Sequence, residues 1–198
     1  MKTSILPLLA LVLALAFSAG PARAGQTEAR AYFAPNGGIR EAVIDHINRA
    51  EKSIHILSYY FSEPGIAKAL TRAAGRGVKV EAVLDAKGGN KDKNPYLAGQ
   101  LKDAGAAVYM DSDHKTMHNK VMIYDGKTVQ TGSYNLRKGV DKKNAENVLF
   151  ITSEDVAAQY LKDFQLHKAH SRPYWQPDTC WTGLRILQLC REQYGGAA

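Results

Sequence analysis

Cysteine is almost missing from this chain: its 198 residues hold two, Cys180 and Cys190, both near the C-terminus. They are not spaced as Cys-x-x-Cys and neither has a neighbouring histidine, so a thiol redox motif or a thiolate metal centre lacks its residues. Long apolar runs are missing as well beyond the first two dozen residues, so no later segment is fit to span a bilayer. There is no internal repeat and no low-complexity linker, which argues against a solenoid or a string of modules. No group of His, Cys and Asp stands at metal-ligand spacing, so neither a metal nor a cofactor is expected.

What is present begins with an export pattern. Lys2 gives a positive start, Ile5 to Phe17 are almost wholly apolar, and Ala22-Arg23-Ala24 has the small-x-small form that signal peptidase accepts. The apolar stretch is short for a span of about 20 residues. A signal peptide over residues 1–24, cleaved after Ala24, is therefore expected, with a periplasmic or secreted product. In that oxidising setting a disulfide between Cys180 and Cys190 is the default. Cleavage leaves 174 residues, enough for one core, and removes Lys2 and Arg23, so the formal charge falls from +7 to +5. Such an excess permits a polyanionic partner without requiring one.

Over residues 25–174, strand-length apolar runs alternate with segments of helical period. Strands are expected at Ala29–Ala34, Ser53–Phe61, Val78–Leu84, Ala106–Met110, Lys120–Tyr124, Thr128–Thr131 and Val148–Ile151. Ile39, Val43, Ile44 and Ile47 share one helical face. Glu63-Pro64 opens a second helix that stops at Gly75-Arg76-Gly77, and a short helix runs through Tyr96, Leu97 and Leu101. Ser153-Glu154-Asp155 caps a long amphipathic helix through Val156, Tyr160, Leu161 and Phe164. Asp125-Gly126 between two strands is a hairpin signal. The fold class is α/β, a mixed sheet sandwiched by helices. Residues 175–198 form a tail whose apolar residues read as extra packing.

The chemistry is concentrated in Met117 to Asn147, where His118, Lys120, Asp125, Gly132, Ser133 and Asn135 are spaced H-x-K-x4-D-x6-G-S-x-N. In an extended segment His118 and Lys120 face the same way, and Ser133 and Asn135 do so after the turn. An imidazole, an ammonium, a hydroxyl and a carboxamide can thus meet, a set suited to a phosphate: a nucleophile, a fixed positive charge and neutral donors for oxygen. A core has no use for it, since an unpaired buried lysine is costly.

This pattern resembles the HKD motif of the phospholipase D superfamily, most closely its small single-motif nonspecific endonucleases, over roughly Tyr32 to Tyr174. The resemblance implies a phospholipase D/nuclease-like fold and a phosphodiesterase in which His118 attacks phosphorus and forms a phosphohistidine. It implies that Lys120 and Asn135 hold the phosphate oxygens, that Ser133 supports the intermediate, and that Glu146, in Asn144-Ala145-Glu146-Asn147, bonds the other ring nitrogen of His118. Asp125 completes the motif, with a role that reads as structural, holding the turn; Gly132 permits close backbone approach. Two-motif relatives bring one histidine from each copy, so one motif implies a homodimer that pairs two His118 rings at one site.

The motif does not choose the phosphodiester. Lys87, Lys91 and Lys93 in one polar loop, and Arg137, Lys138, Lys142 and Lys143 in another, would rim the site with positive charge suited to a nucleic-acid backbone, DNA foremost. No base-reading motif accompanies them. The expected activity is a metal-independent, sequence-nonspecific endonuclease. The alternatives are a phospholipase D on phosphatidyl lipids and a non-catalytic envelope protein that binds nucleic acid.

Overall fold

In the middle of the chain apolar residues do not alternate with polar ones. Residues Ile54–Ser58 and Val80–Asp85 are buried throughout, as strands covered on both faces must be. The computed structural model describes residues 27–87 and 94–174. In chain order its elements are β1 (Glu28–Ala34), α1 (Ile39–Arg49), β2 (Ser53–Ser58), β3 (Phe61–Ser62), α2 (Pro64–Gly75), β4 (Lys79–Asp85), α3 (Asn94–Asp103) and β5 (Ala107–Asp111). After these come β6 (Lys120–Tyr124), β7 (Thr128–Gly132), β8 (Leu136–Arg137), α4 (Val140–Lys143), β9 (Glu146–Thr152), α5 (Glu154–His170) and β10 (Arg172–Pro173).

Eight strands form one sheet in the order β1-β9-β7-β6-β2-β4-β5-β10. The pairs β2·β4 and β4·β5 are parallel and the other pairs of this sheet are antiparallel, so the sheet is mixed as expected. Ile54, Ile56, Val80, Ala82, Leu84 and Met122 point to one face, where α1, α2 and α3 bury Val43, Ile47, Ile66, Leu70 and Leu101 over them. Leu57, Val83, Ile123 and Val129 point to the other, under Ala157 and Phe164 of α5. Alternation along each strand thus feeds two cores. A buried ion pair fastens α5: Lys168 donates to Glu81 at 2.5 Å, with Glu81 3% exposed and also paired with Lys79 at 2.8 Å.

Local chemistry sets the ends of the elements. The Glu63 carboxylate accepts from the Gly65 N–H at 3.1 Å and opens α2 with Pro64 in its first turn. The Ser153 hydroxyl accepts from the Val156 N–H at the start of α5. The expected single strand over Ser53–Phe61 is split. The Ser58 hydroxyl turns back onto the Tyr60 carbonyl at 2.6 Å, and Phe61–Ser62 leaves the main sheet to pair in parallel with β8. The short β8, α4 and β10 carry too little periodicity to be read in sequence. Lys91 and Lys93, the expected signal peptide and the cysteine-bearing tail lie outside the described residues.

The β6–β7 turn shows what the motif aspartate does. Asp125 (φ 55°) and Gly126 (φ 66°) take successive left-handed conformations, and the Lys127 N–H donates to the Tyr124 carbonyl at 2.9 Å, closing a tight turn between Tyr124 and its partner Thr128. The Asp125 carboxylate accepts from the backbone N–H groups of Lys52 at 2.7 Å, Ser53 at 3.0 Å and Glu51 at 3.1 Å, which pins the hairpin to the start of β2. Burial pushes this carboxyl up, and those three N–H groups more than reverse it, leaving its pKa below the ordinary carboxylate range. Such a group stabilises the fold fully above the unfolded-state value of about 3.9 and loses its effect as pH falls through the lower folded value. Asp125→Asn, which keeps shape and removes charge, is expected to lower stability by about 1.5–3 kcal/mol near neutrality. In urea unfolding the gap to wild type should close toward about pH 2; a gap unchanged with pH would contradict this role.

Candidate active site

The register of the sheet assembles the site at one end of it. Ser58 of β2 stands opposite Lys120 of β6, and Gly132 of β7 stands opposite Val148 of β9. Lys120, Ser133 and Glu146 therefore emerge together at the ends of neighbouring strands. Just before β6, Met117 is buried and its N–H donates to Asp85 Oδ2 at 2.8 Å. With Met117 held inward, His118 is exposed. The Lys120 ammonium donates to the His118 carbonyl at 2.8 Å. The Tyr59 ring lies 4.7 Å from the His118 ring and 5.3 Å from Lys120 Nζ, so one aromatic face supports both groups.

The other half follows from alternation in Ser133-Tyr134-Asn135-Leu136. Tyr134 and Leu136 are buried in the core while Ser133 is exposed and Asn135 half-buried, so the two polar side chains are turned out by the two apolar ones turned in. Gly132 (φ 149°) makes room for this: a Cβ there would run into the Asn147 carbonyl oxygen. The Ser133 hydroxyl donates to Glu146 Oε2 and accepts from the Asn147 N–H at 3.1 Å. Asn144 donates to Glu146 Oε1 at 3.0 Å. The enclosed Asn135 Oδ1 has no hydrogen-bond partner among the described residues, which leaves this amide an unmet polar position at the site. Burial pulls the Lys120 ammonium below the ordinary lysine pKa, and the Glu146 carboxylate draws it partly back.

Not every candidate gathers here. Asp125 sits at the far end of β6, about 17 Å from Lys120 at roughly 3.3 Å per residue, and its carboxylate is committed to the backbone of β2. Glu146 is held by Ser133 and Asn144, and the His118 ring makes no hydrogen bond among the described residues, so the expected Glu146–His118 bond is not made within one chain. Lys87 Nζ donates to the His114 carbonyl at 3.1 Å, beside the segment that leads to His118. Arg137 lies 5.2 Å from the Tyr60 ring centre, and Lys138 is exposed. Tyr59 is a site residue the sequence reading misses; its only signal is its place at the end of a buried strand.

The expectation that no side-chain cluster stands at ligand spacing is corrected by the fold. Asp111, His114, His167 and His170 come together from β5, the segment after it and α5, with one ligand atom from each lying within 4.8 Å of the others. They are separate from the His118 site, at a different strand of the same sheet end.

Residues 43–168 match the family described as cardiolipin synthase, PLD-like domain. The chain is 39% identical to a protein named phospholipase D from Rickettsia conorii over 137 residues, 69% of this chain and 68% of that protein. It is 32% identical to the mitochondrial cardiolipin hydrolase of Xenopus tropicalis, over 59% of this chain and 55% of that one. Among solved structures it is similar to Nuc of Salmonella typhimurium, described as a phospholipase D family member, with TM-score 0.72 and 32% identity over 75% of this chain and 99% of that one. NucT of Helicobacter pylori shares the fold, with TM-score 0.67 at 23% identity. With the motif gathered at the sheet end and relatives of this kind on either side, the chain belongs to the phospholipase D superfamily, as a phosphodiesterase.

Proposed function

We propose that the protein is a sequence-nonspecific endonuclease acting outside the cytoplasm, with His118 as a covalent nucleophile whose chemistry needs no metal. The observation that carries this reading is the exposed imidazole of His118 beside a fixed ammonium on an open surface. An extended polyanion can reach such a site. Lys87, Arg137 and Lys138 lie on the adjoining segments and supply positive charge for its backbone. The localisation rests on the export pattern of residues 1–24.

In the first step a ring nitrogen of His118 bonds to phosphorus and the bond to one ester oxygen breaks. Lys120 and the Asn135 amide hold the non-bridging oxygens, and the Ser133 hydroxyl lies at the same place, kept by Glu146 and the Asn147 N–H. The leaving alkoxide takes a proton from a second imidazole. Water then attacks the phosphohistidine, gives a proton to that second imidazole, and frees His118 with a phosphomonoester. Among the described residues no side chain hydrogen-bonds the His118 ring, so we place both the second imidazole and the orienting carboxylate on a second copy related by a two-fold axis.

A lipid substrate is the second reading. Relatives named phospholipase D and cardiolipin hydrolase favour it. Phe33, 62% exposed, stands opposite Asn147 at the same end of the sheet.

Plasmid DNA should be cut in EDTA, while His118→Ala should lose at least about 1,000-fold in rate. Hydrolysis of phosphatidyl vesicles with intact DNA would move the assignment to a lipase, and retention without turnover of either would leave a binding protein. In sedimentation the competent species should be a dimer, and specific activity should fall on dilution below its dissociation constant; a competent monomer would contradict the two-fold site. The charged form of Lys120 is lost as pH rises through its lowered pKa, so the alkaline limb of kcat/KM should fall below the ordinary lysine value of about 10.4. A profile flat to that pH would show that the Lys120 charge is not needed.

A further inference from the structure

Three of the chain's six histidines converge on one carboxylate oxygen. Asp111 ends β5 and is fully buried. Its Oδ2 lies 2.9 Å from His114 Nδ1, 3.2 Å from His167 Nδ1 and 3.1 Å from His170 Nε2. Its Oδ1 accepts from the Asp113 N–H at 3.1 Å and the His114 N–H at 3.3 Å. Hydrogen bonding accounts poorly for three ring nitrogens aimed at one oxygen, because a carboxylate oxygen offers only about two lone-pair sites and three donors would have to share them. A tetrahedral ion explains the same arrangement directly. Bonds of about 2.0–2.1 Å place the ligand atoms about 3.3 Å apart, close to the three Asp111–histidine separations, and all four ligand atoms lie within 4.8 Å of one another.

The donors also select an ion. Three imidazoles and a carboxylate suit zinc among the common metals, and four protein ligands close a tetrahedron with no position left for water, as in structural sites. His167 Nε2, the nitrogen turned away from Asp111, carries the ring proton when Nδ1 ligates; the Asp163 carboxylate lies 3.7 Å from it and the Asn119 side-chain amide 3.3 Å, whose oxygen accepts that proton once the amide is turned over. The His114 side chain is 46% exposed, so an ion can enter from solvent.

The place of the cluster gives it a task. His114 lies on the segment between β5 and β6 that carries His118, and the Asn119 amide reaches His167. His167 and His170 form the last turn of α5. Strand order puts Asp111 three strands from Lys120, about 14 Å at roughly 4.8 Å per strand, too far for an ion there to touch the reacting phosphate. We infer that Asp111, His114, His167 and His170 hold one structural zinc ion, which clips the His118-bearing segment to the end of α5. Zinc here steadies the segment that carries the nucleophile and takes no part in the chemistry, so its removal by EDTA slows turnover without abolishing it.

The test uses the untagged chain, stripped of metal and titrated with Zn²⁺ alone against a chromophoric chelator. One Zn²⁺ per chain should bind, and Co²⁺ in its place should give the visible absorption of a four-coordinate site. Zn²⁺ should raise the thermal midpoint by several degrees. His118→Ala should bind as wild type does. His114→Ala, at an exposed position where folding is checked by circular dichroism, should bind at least about 100-fold more weakly, and His167→Ala/His170→Ala not at all. A stripped wild-type chain that takes up no Zn²⁺, or uptake unchanged in folded His114→Ala, would overturn the site. No substrate enters these readouts, so they stand apart from the choice between nucleic acid and lipid.

Discussion

Lys120 stands opposite Ser58 because β6 pairs antiparallel with β2, and the working end of the molecule depends on that register. A slip of one residue would turn every side chain of β6 to the other face, sending Ile123 out of one core and Lys120 away from Tyr59. Two devices resist it. At the turn end Asp125 grips the backbone of Glu51, Lys52 and Ser53. At the site end the Tyr59 N–H donates to the Asn119 carbonyl at 3.0 Å, and the Met117 N–H donates to Asp85. The motif aspartate is distant from the chemistry, yet it fixes where the chemistry happens.

With the register held, burial does the rest of the positioning. Met117, Tyr134 and Leu136 are drawn into the core, and His118, Ser133 and Asn135 are left facing outward between them. The resulting site is open, with an exposed His118 whose ring makes no hydrogen bond among the described residues. An imidazole in that state is poorly oriented for attack, and an open surface screens the Lys120 charge. Both deficits are of the kind a second subunit would remove, by covering the site and presenting a carboxylate. The metal clip inferred at Asp111 addresses a different need, stiffness in the connecting segment.

Much of this was legible in sequence because its signals are local. The hairpin follows from Asp125-Gly126 between β-branched runs, the cap of α5 from Ser153, and the mixed sheet from alternating strands and helices. The break after β2 was not legible, since it turns on a Ser58 hydroxyl bonding two residues ahead in a run that otherwise reads as continuous strand. The Asp111 cluster was hidden for another reason: Asp111 and His167 are 56 residues apart, and only the packing of α5 brings them together. Glu146 shows the opposite failure. Its importance comes from the family pattern, but its partners in a single chain are Ser133 and Asn144.

The central claim is that His118 becomes covalently bonded to phosphorus. It is tested most directly by quenching the enzyme with a phosphate-labelled oligonucleotide in alkali, digesting it, and locating the label by mass spectrometry. The account predicts label on the peptide carrying His118, stable to base and lost in mild acid as a phosphoramidate is, and absent when His118 is replaced by alanine. Label on another residue, or full turnover with none trapped at any time, would contradict it.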